Sequence, residues 1–161
     1  MSNETVLILD NEPHIRWALK ALLEIEQYSI IAVDKIGMAL DHFSKGEISS
    51  LITEYQIDQT STLEMIRDLK MRFPEIYVMM LTRNDLQKEK YEEIIRAGVD
   101  DFFQKPFSSE KILFHLKKGL RQRDILLQKN RLEREMGQMR GKGISWGFYR
   151  RWKRHVQLES H

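Results

Sequence analysis

The sequence predicts an α/β fold: a doubly wound, five-stranded parallel sheet with helices on both faces and an extended last helix. Three observations predict it. Five short apolar or β-branched runs alternate with stretches of helical period. Several of these runs, residues 6–9 and 76–81 among them, are apolar at successive positions, as strands buried on both faces are. Asp10, Glu54, Thr82 and Lys105 each follow or close a run, which gathers them at one edge of a parallel sheet.

Residues 6–9 form the first strand, ending at Asp10. Pro13 suits the first turn of a helix, and Ile15, Ala18, Leu19, Leu22 and Leu23 give it one apolar stripe. Residues 28–33 are a second strand and 37–43 a short helix. Residues 50–53 are a third strand, ending at Glu54. Leu63, Ile66, Leu69 and Met71 carry the third helix, closed before Pro74. Residues 76–81 are the fourth strand, ending at Thr82. Tyr91, Ile94, Ile95 and Ala97 carry the fourth helix, with Gly98 as its C-terminal cap. Residues 101–104 are the fifth strand, followed by Lys105 and Pro106, and Ser108 or Ser109 caps a last helix starting near Glu110. Right-handed connections leave few arrangements, and the flavodoxin-like strand order 2-1-3-4-5 is expected, with its crevice at the carboxyl ends of strands 1 and 3.

The formal charge of +2 conceals a division. Residues 117–161 hold 13 Lys/Arg against 4 Asp/Glu, leaving 13 against 20 in residues 1–116. We therefore expect a domain over residues 1–120, an extension of the last helix over 121–140, and a basic aromatic tail over 141–161. The chain has no cysteine, which excludes disulfides, thiolate metal sites and a cysteine nucleophile. The first residues lack a basic start and a long apolar run, so a cytoplasmic protein is expected.

Carboxylates, a hydroxyl and an ammonium at one sheet edge suit a phosphate and a divalent cation. At these residues, over about 5–120, the chain resembles the receiver domains of two-component response regulators. LDNEP resembles the acidic motif after strand 1, LITEYQI the strand ending in the phosphoacceptor, MLT the switch strand, and GVDDFFQKPF the segment with the switch aromatic and Lys-Pro. IRW at residues 15–17 looks like the receivers of sigma-54-dependent activators, which continue into an ATPase domain not contained in these residues. The resemblance implies a phosphoacceptor position at Glu54, a pocket of Asp10, Asn11, Thr82 and Lys105, and a switch pair of Thr82 and Phe102. It also implies Mg²⁺ ligands at Asp10, Asn11 and the carbonyl of Gln56.

The pocket departs from that pattern. Glu54 stands where the family has Asp, which moves the carboxylate by ~1.5 Å, one C–C bond. Displacement of about 1 Å can cost roughly 100-fold in a positioned reaction. Asn11 replaces a second Asp, removing one charge and weakening Mg²⁺. Arg83 follows the switch Thr, where its bulk would crowd the pocket mouth and its charge could occupy the anion site. Asp58, Gln59, Ser61 and Thr62 alter the loop after strand 3. These changes predict a non-enzymatic pseudo-receiver that signals by protein contact. Glu54 would either imitate a phosphorylated Asp beside Lys105 or serve as its plain ion-pair partner. A working phosphorelay receiver with an atypical pocket is the alternative.

Expected partners are a signalling protein or sensor histidine kinase, and no small-molecule substrate. A second copy could dock through the face of the fourth helix, fifth strand and fifth helix. It could also pair along the C-terminal helix, where Leu113, Leu116, Leu120 and Leu127 form one stripe and Ile125, Leu132, Met136 and Met139 another. Gly137, Gly141 and Gly143 are expected to end that helix. In the tail, Trp146, Phe148, Tyr149 and Trp152 interleave with Arg150, Arg151, Lys153 and Arg154, a composition that suits nucleic acid or an anionic membrane surface.

Overall fold

Strands β1 (Thr5–Leu9), β2 (Ser29–Val33), β3 (Ser50–Thr53), β6 (Tyr77–Thr82) and β7 (Asp101–Gln104) form one parallel sheet in the order β2-β1-β3-β6-β7. Counting only these five, that is the expected order 2-1-3-4-5. The computed structural model describes residues 4–83, 86–141 and 154. Two compact units divide the chain, Met1–Arg123 and Asp124–His161.

The unbroken apolar runs have the cause inferred for them. Leu7, Leu9, Leu51, Val78 and Met80 face one core. Val6, Ile8, Ile52, Met79 and Leu81 alternate to the other. The first core is covered by α2 (Ile36–Lys45), α3 (Leu63–Arg72) and α4 (Lys88–Ala97). The second is covered by α1 (Pro13–Ile25) and the first turns of α5 (Ser109–Gly141). Ser108 accepts at the start of α5, from Lys111 N–H at its hydroxyl and Ile112 N–H at its carbonyl. Gly98 ends α4 at φ 109°, a left-handed backbone that glycine adopts without strain.

The structure corrects the reading of three residues and adds one element. Met71 on α3 and Ile95 on α4 are 81% and 70% exposed, so neither belongs to its helix's buried stripe. The 3.6-residue turn carries both past the line that meets the sheet. Gly137 does not end α5, which continues to Gly141, because one glycine lowers helix propensity by only about 1 kcal/mol. The loop after β3 also contains an antiparallel ribbon, β4 (Gln56–Ile57) with β5 (Thr60–Ser61). Its turn residues Asp58 and Gln59 both have positive φ, as a tight hairpin turn requires. No glycine marks that turn in the sequence.

Gly119 has a role its sequence context did not suggest. A Cβ there would collide with the buried Tyr77 ring. Gly119→Ala is therefore expected to destabilise by about 1–3 kcal/mol through overpacking, despite a helix-propensity gain of about 1 kcal/mol. Urea denaturation measures it, and a stabilised variant would exclude the clash.

Tyr77 also predicts alkaline instability. Burial first, then its hydrogen bond to Asp101, push the phenol far above its ordinary value of 10.0. The folded chain keeps this proton while the unfolded chain releases it above that value, so stability falls as pH rises beyond it. Unfolding free energy should drop by up to about 1.4 kcal/mol per pH unit from this group alone. Tyr77→Phe should make the slope shallower by one proton; an unchanged slope would refute the assignment.

Among the described residues, no helix is long and apolar enough to cross a membrane. Tail residues 142–153 and 155–161 lie outside the described residues, so the readings made on them gain no structural counterpart.

Candidate functional site

The carboxyl ends of β1, β3, β6 and β7 meet at one edge of the sheet, and Lys105 lies at the centre of what they bring together. Its side chain is 1% exposed. Its ammonium donates to Asp10 Oδ2 at 2.7 Å, Glu12 Oε2 at 2.8 Å and Glu54 Oε2 at 2.8 Å.

Each carboxylate arrives by local backbone logic. Asp10 extends β1, and its Oδ1 accepts the N–H of Glu12 at 2.9 Å. Glu12 precedes α1 in an extended conformation and makes no side-chain cap bond. The Glu12 N–H bond to the Asp10 side chain turns the chain after β1, and Asp10, Asn11 and Glu12 line one cleft. Glu54 follows β3, where the hydroxyls of Thr53 and Thr62 both donate to its carbonyl, at 2.9 and 2.8 Å. With its backbone pinned, Glu54 gives Oε1 to Tyr55 N–H at 2.7 Å and Oε2 to Lys105.

Electrostatics follow the geometry. Burial pulls the Lys105 ammonium toward a lower pKa, but hydrogen bonds to Asp10, Glu12 and Glu54 outweigh it and the net direction is up. Burial likewise pushes Asp10 above its ordinary value, with Lys105 offsetting only part of the effect. Glu12 feels burial too, yet Lys105 and Arg83 prevail and its pKa falls.

Thr82 is fully buried at the end of β6, and its carbonyl accepts the Lys105 N–H at 2.8 Å. Phe102 is half-buried against the first core and meets Tyr91 edge-on at 5.2 Å. Arg83 stands at the pocket mouth and donates to Glu12 Oε1 at 2.6 Å. Gln56 lines the same cleft of about 240 Å³.

Asn11 lines the same cleft but bonds to Asp58 rather than to Lys105. Its carbonyl oxygen accepts Asp58 N–H at 3.1 Å, and its amide reaches Asp58 Oδ1 at 3.3 Å. Asp58 in turn pairs with Lys35 at 2.8 Å. The residue missed by sequence reasoning is Glu12. Its signal was its place: an acidic residue just after the end of strand 1, beside Asp10.

Asp10, Glu12 and Glu54 place a carboxylate oxygen each within 4.8 Å of one another, a set that could hold a metal ion. Hard oxygen donors fit Mg²⁺ in type. In this arrangement Lys105 donates to one oxygen of each carboxylate, and the other three oxygens accept Glu12 N–H, Tyr55 N–H and the Arg83 guanidinium.

The family described as response regulator receiver domain matches residues 6–117. The chain belongs to the response regulator receiver family. Receiver domains are signalling domains that typically bind Mg²⁺. This receiver is 28% identical over 121 residues to the heme response regulator HssR of Staphylococcus saprophyticus, covering 75% of this chain and 53% of that protein. It is 29% identical over 122 residues to the uncharacterized transcriptional regulatory protein YkoG of Bacillus subtilis, covering 76% and 53%. The chain thus spans about half the length of these curated relatives. In fold it is similar to a CheY-like receiver from Methanospirillum hungatei, at TM-score 0.72 and 20% identity over 76% of this chain and 98% of that one. It is also similar to the beryllofluoride-activated NtrC4 receiver domain dimer, at TM-score 0.69 and 23% identity over 74% and 98%.

Proposed function

We propose that this receiver is a pseudo-receiver: it signals through protein contact, with Glu54 taking the place of a phosphorylated Asp. The observation that carries the reading is the 2.8 Å ion pair from Glu54 Oε2 to Lys105, which the family resemblance places in the pocket with the phosphoacceptor position. A carboxylate has less charge and fewer oxygens than an acyl phosphate, so the imitation is partial. Full burial of Thr82 and inward packing of Phe102 support the same reading. So does Asn11, whose engagement with Asp58 weakens the pocket for Mg²⁺.

The partner is a signalling protein or a sensor kinase that recognises the receiver without transferring phosphate. A second copy is a further candidate, through the α4, β7 and α5 face. The activated NtrC4 receiver of similar fold is a dimer, which favours that choice. Exposed Ile125, Leu126 and Leu132 favour the C-terminal part of α5 as another contact.

Incubation of the full chain with acetyl phosphate and Mg²⁺, followed by intact mass, tests the proposal. No phosphoryl adduct is expected. An adduct on Glu54 would instead establish a working receiver with an atypical pocket.

A further inference from the structure

The acidic pocket holds three carboxylates, and each of their six oxygens accepts a donor from the chain itself. Asp10 Oδ1 accepts Glu12 N–H, Glu54 Oε1 accepts Tyr55 N–H, and Glu12 Oε1 accepts the Arg83 guanidinium. The three remaining oxygens converge on Lys105 Nζ at 2.7–2.8 Å. Two of these donors are cations, so three negative charges face two positive ones inside the network. A Mg²⁺ ion would take one or two of the same carboxylates, at about 2.0–2.1 Å in near-octahedral geometry. It would then compete for them with an ammonium whose side chain is 1% exposed.

We propose that Lys105 is the resident cation of this pocket and that Arg83, anchored by Glu12, is its lid, so that the receiver does not take up a divalent metal. The proposal rests on the pseudo-receiver reading and deepens it, since oxygens already held by the chain's own cations are not free for the metal that assists phosphoryl transfer. Glu12 and Arg83 are positioning residues here. Glu12 bridges the two cations, and Arg83 lines the cleft with its side chain 57% exposed.

The geometry has a converse. Without the ammonium, three carboxylates with oxygens within 4.8 Å remain, a donor set of the type a hard divalent cation takes. Removing Lys105 should therefore create a metal site where the unaltered chain has none.

Mn²⁺ is the probe, with the free ion counted by electron paramagnetic resonance on the full chain. The unaltered protein is expected to leave Mn²⁺ free at millimolar concentration. Lys105→Met is expected to bind one Mn²⁺ at least about tenfold more tightly, the ratio that a modest differential interaction delivers. Adding Asp10→Asn to that variant should abolish the binding and so locate it. Lys105→Arg, which restores a cation, should bind none. One Mn²⁺ bound by the unaltered chain with submillimolar affinity overturns the proposal, and this measurement decides even if Lys105→Met does not fold. A folded Lys105→Met chain that leaves Mn²⁺ free also overturns it, because the ammonium is then not what excludes the metal. These outcomes are separate from the phosphodonor assay. An unaltered chain that binds Mn²⁺ yet forms no adduct sinks the resident cation and leaves the pseudo-receiver standing.

Discussion

Replacing Lys105 with methionine is expected to lower the unfolding free energy by about 3–5 kcal/mol, as removal of one partner from a buried ion pair does. Methionine keeps the stem and removes the charge. Asp10, Glu12 and Glu54 are then left facing one another, with side chains only 4%, 27% and 12% exposed. The loss is not the worth of three salt bridges. It is the cost of holding uncompensated carboxylates in a poorly solvated cleft, where like charges repel strongly. Against a total stability of about 5–15 kcal/mol for a domain, such a loss brings folding close to its threshold. Lys35→Ala is the matched control. The Lys35–Asp58 pair is as short, at 2.8 Å, but its side chains are 55% and 56% exposed, so about 0–1 kcal/mol is expected. Urea denaturation of both variants measures the contrast. Equal midpoints would mean that burial of the Lys105 network contributes nothing.

The second large effect is a gain. The double substitution Glu54→Asp with Asn11→Asp returns both positions to the residues that the family carries. With acetyl phosphate and Mg²⁺, the variant is expected to form a phosphoryl adduct at least about 100-fold faster than the unaltered chain, the scale of penalty attached to ~1 Å of misplacement. In that step an oxygen of the shortened carboxylate at position 54 bonds to phosphorus, the phosphorus–oxygen bond to acetate breaks, and acetate leaves. The shorter acid no longer reaches as far toward Lys105, which frees the ammonium for a phosphoryl oxygen. The new carboxylate at position 11 supplies a charge that neutral Asn11, bound to Asp58, does not. Phosphoryl transfer rests on positioning and charge neutralisation, and both are restored. Intact mass against time reads the rate. No adduct in the variant would place the obstruction elsewhere, with Arg83 at the cleft mouth the next residue to replace.

By itself, the sequence determined the five-stranded parallel sheet, the positions of its strands, and the convergence of Asp10, Glu54, Thr82 and Lys105 on one edge. That much was legible because a parallel sheet is buried on both faces. Its strands must then be continuous apolar runs, and their polar ends must lie together. Motif order placed Glu54 opposite Lys105 for the same reason. The tertiary structure alone decided which neighbours completed the site. Asn11 and Glu12 are adjacent in sequence and both polar, yet only Glu12 reaches the ammonium, because Asp58, distant in sequence, engages Asn11. The sparing of Gly119 for the Tyr77 ring, and the exposure of Met71 and Ile95, depend on where helices settle against strands distant in sequence. Periodicity places a residue on a helix face. What meets that face is set by packing between elements, which no local pattern encodes.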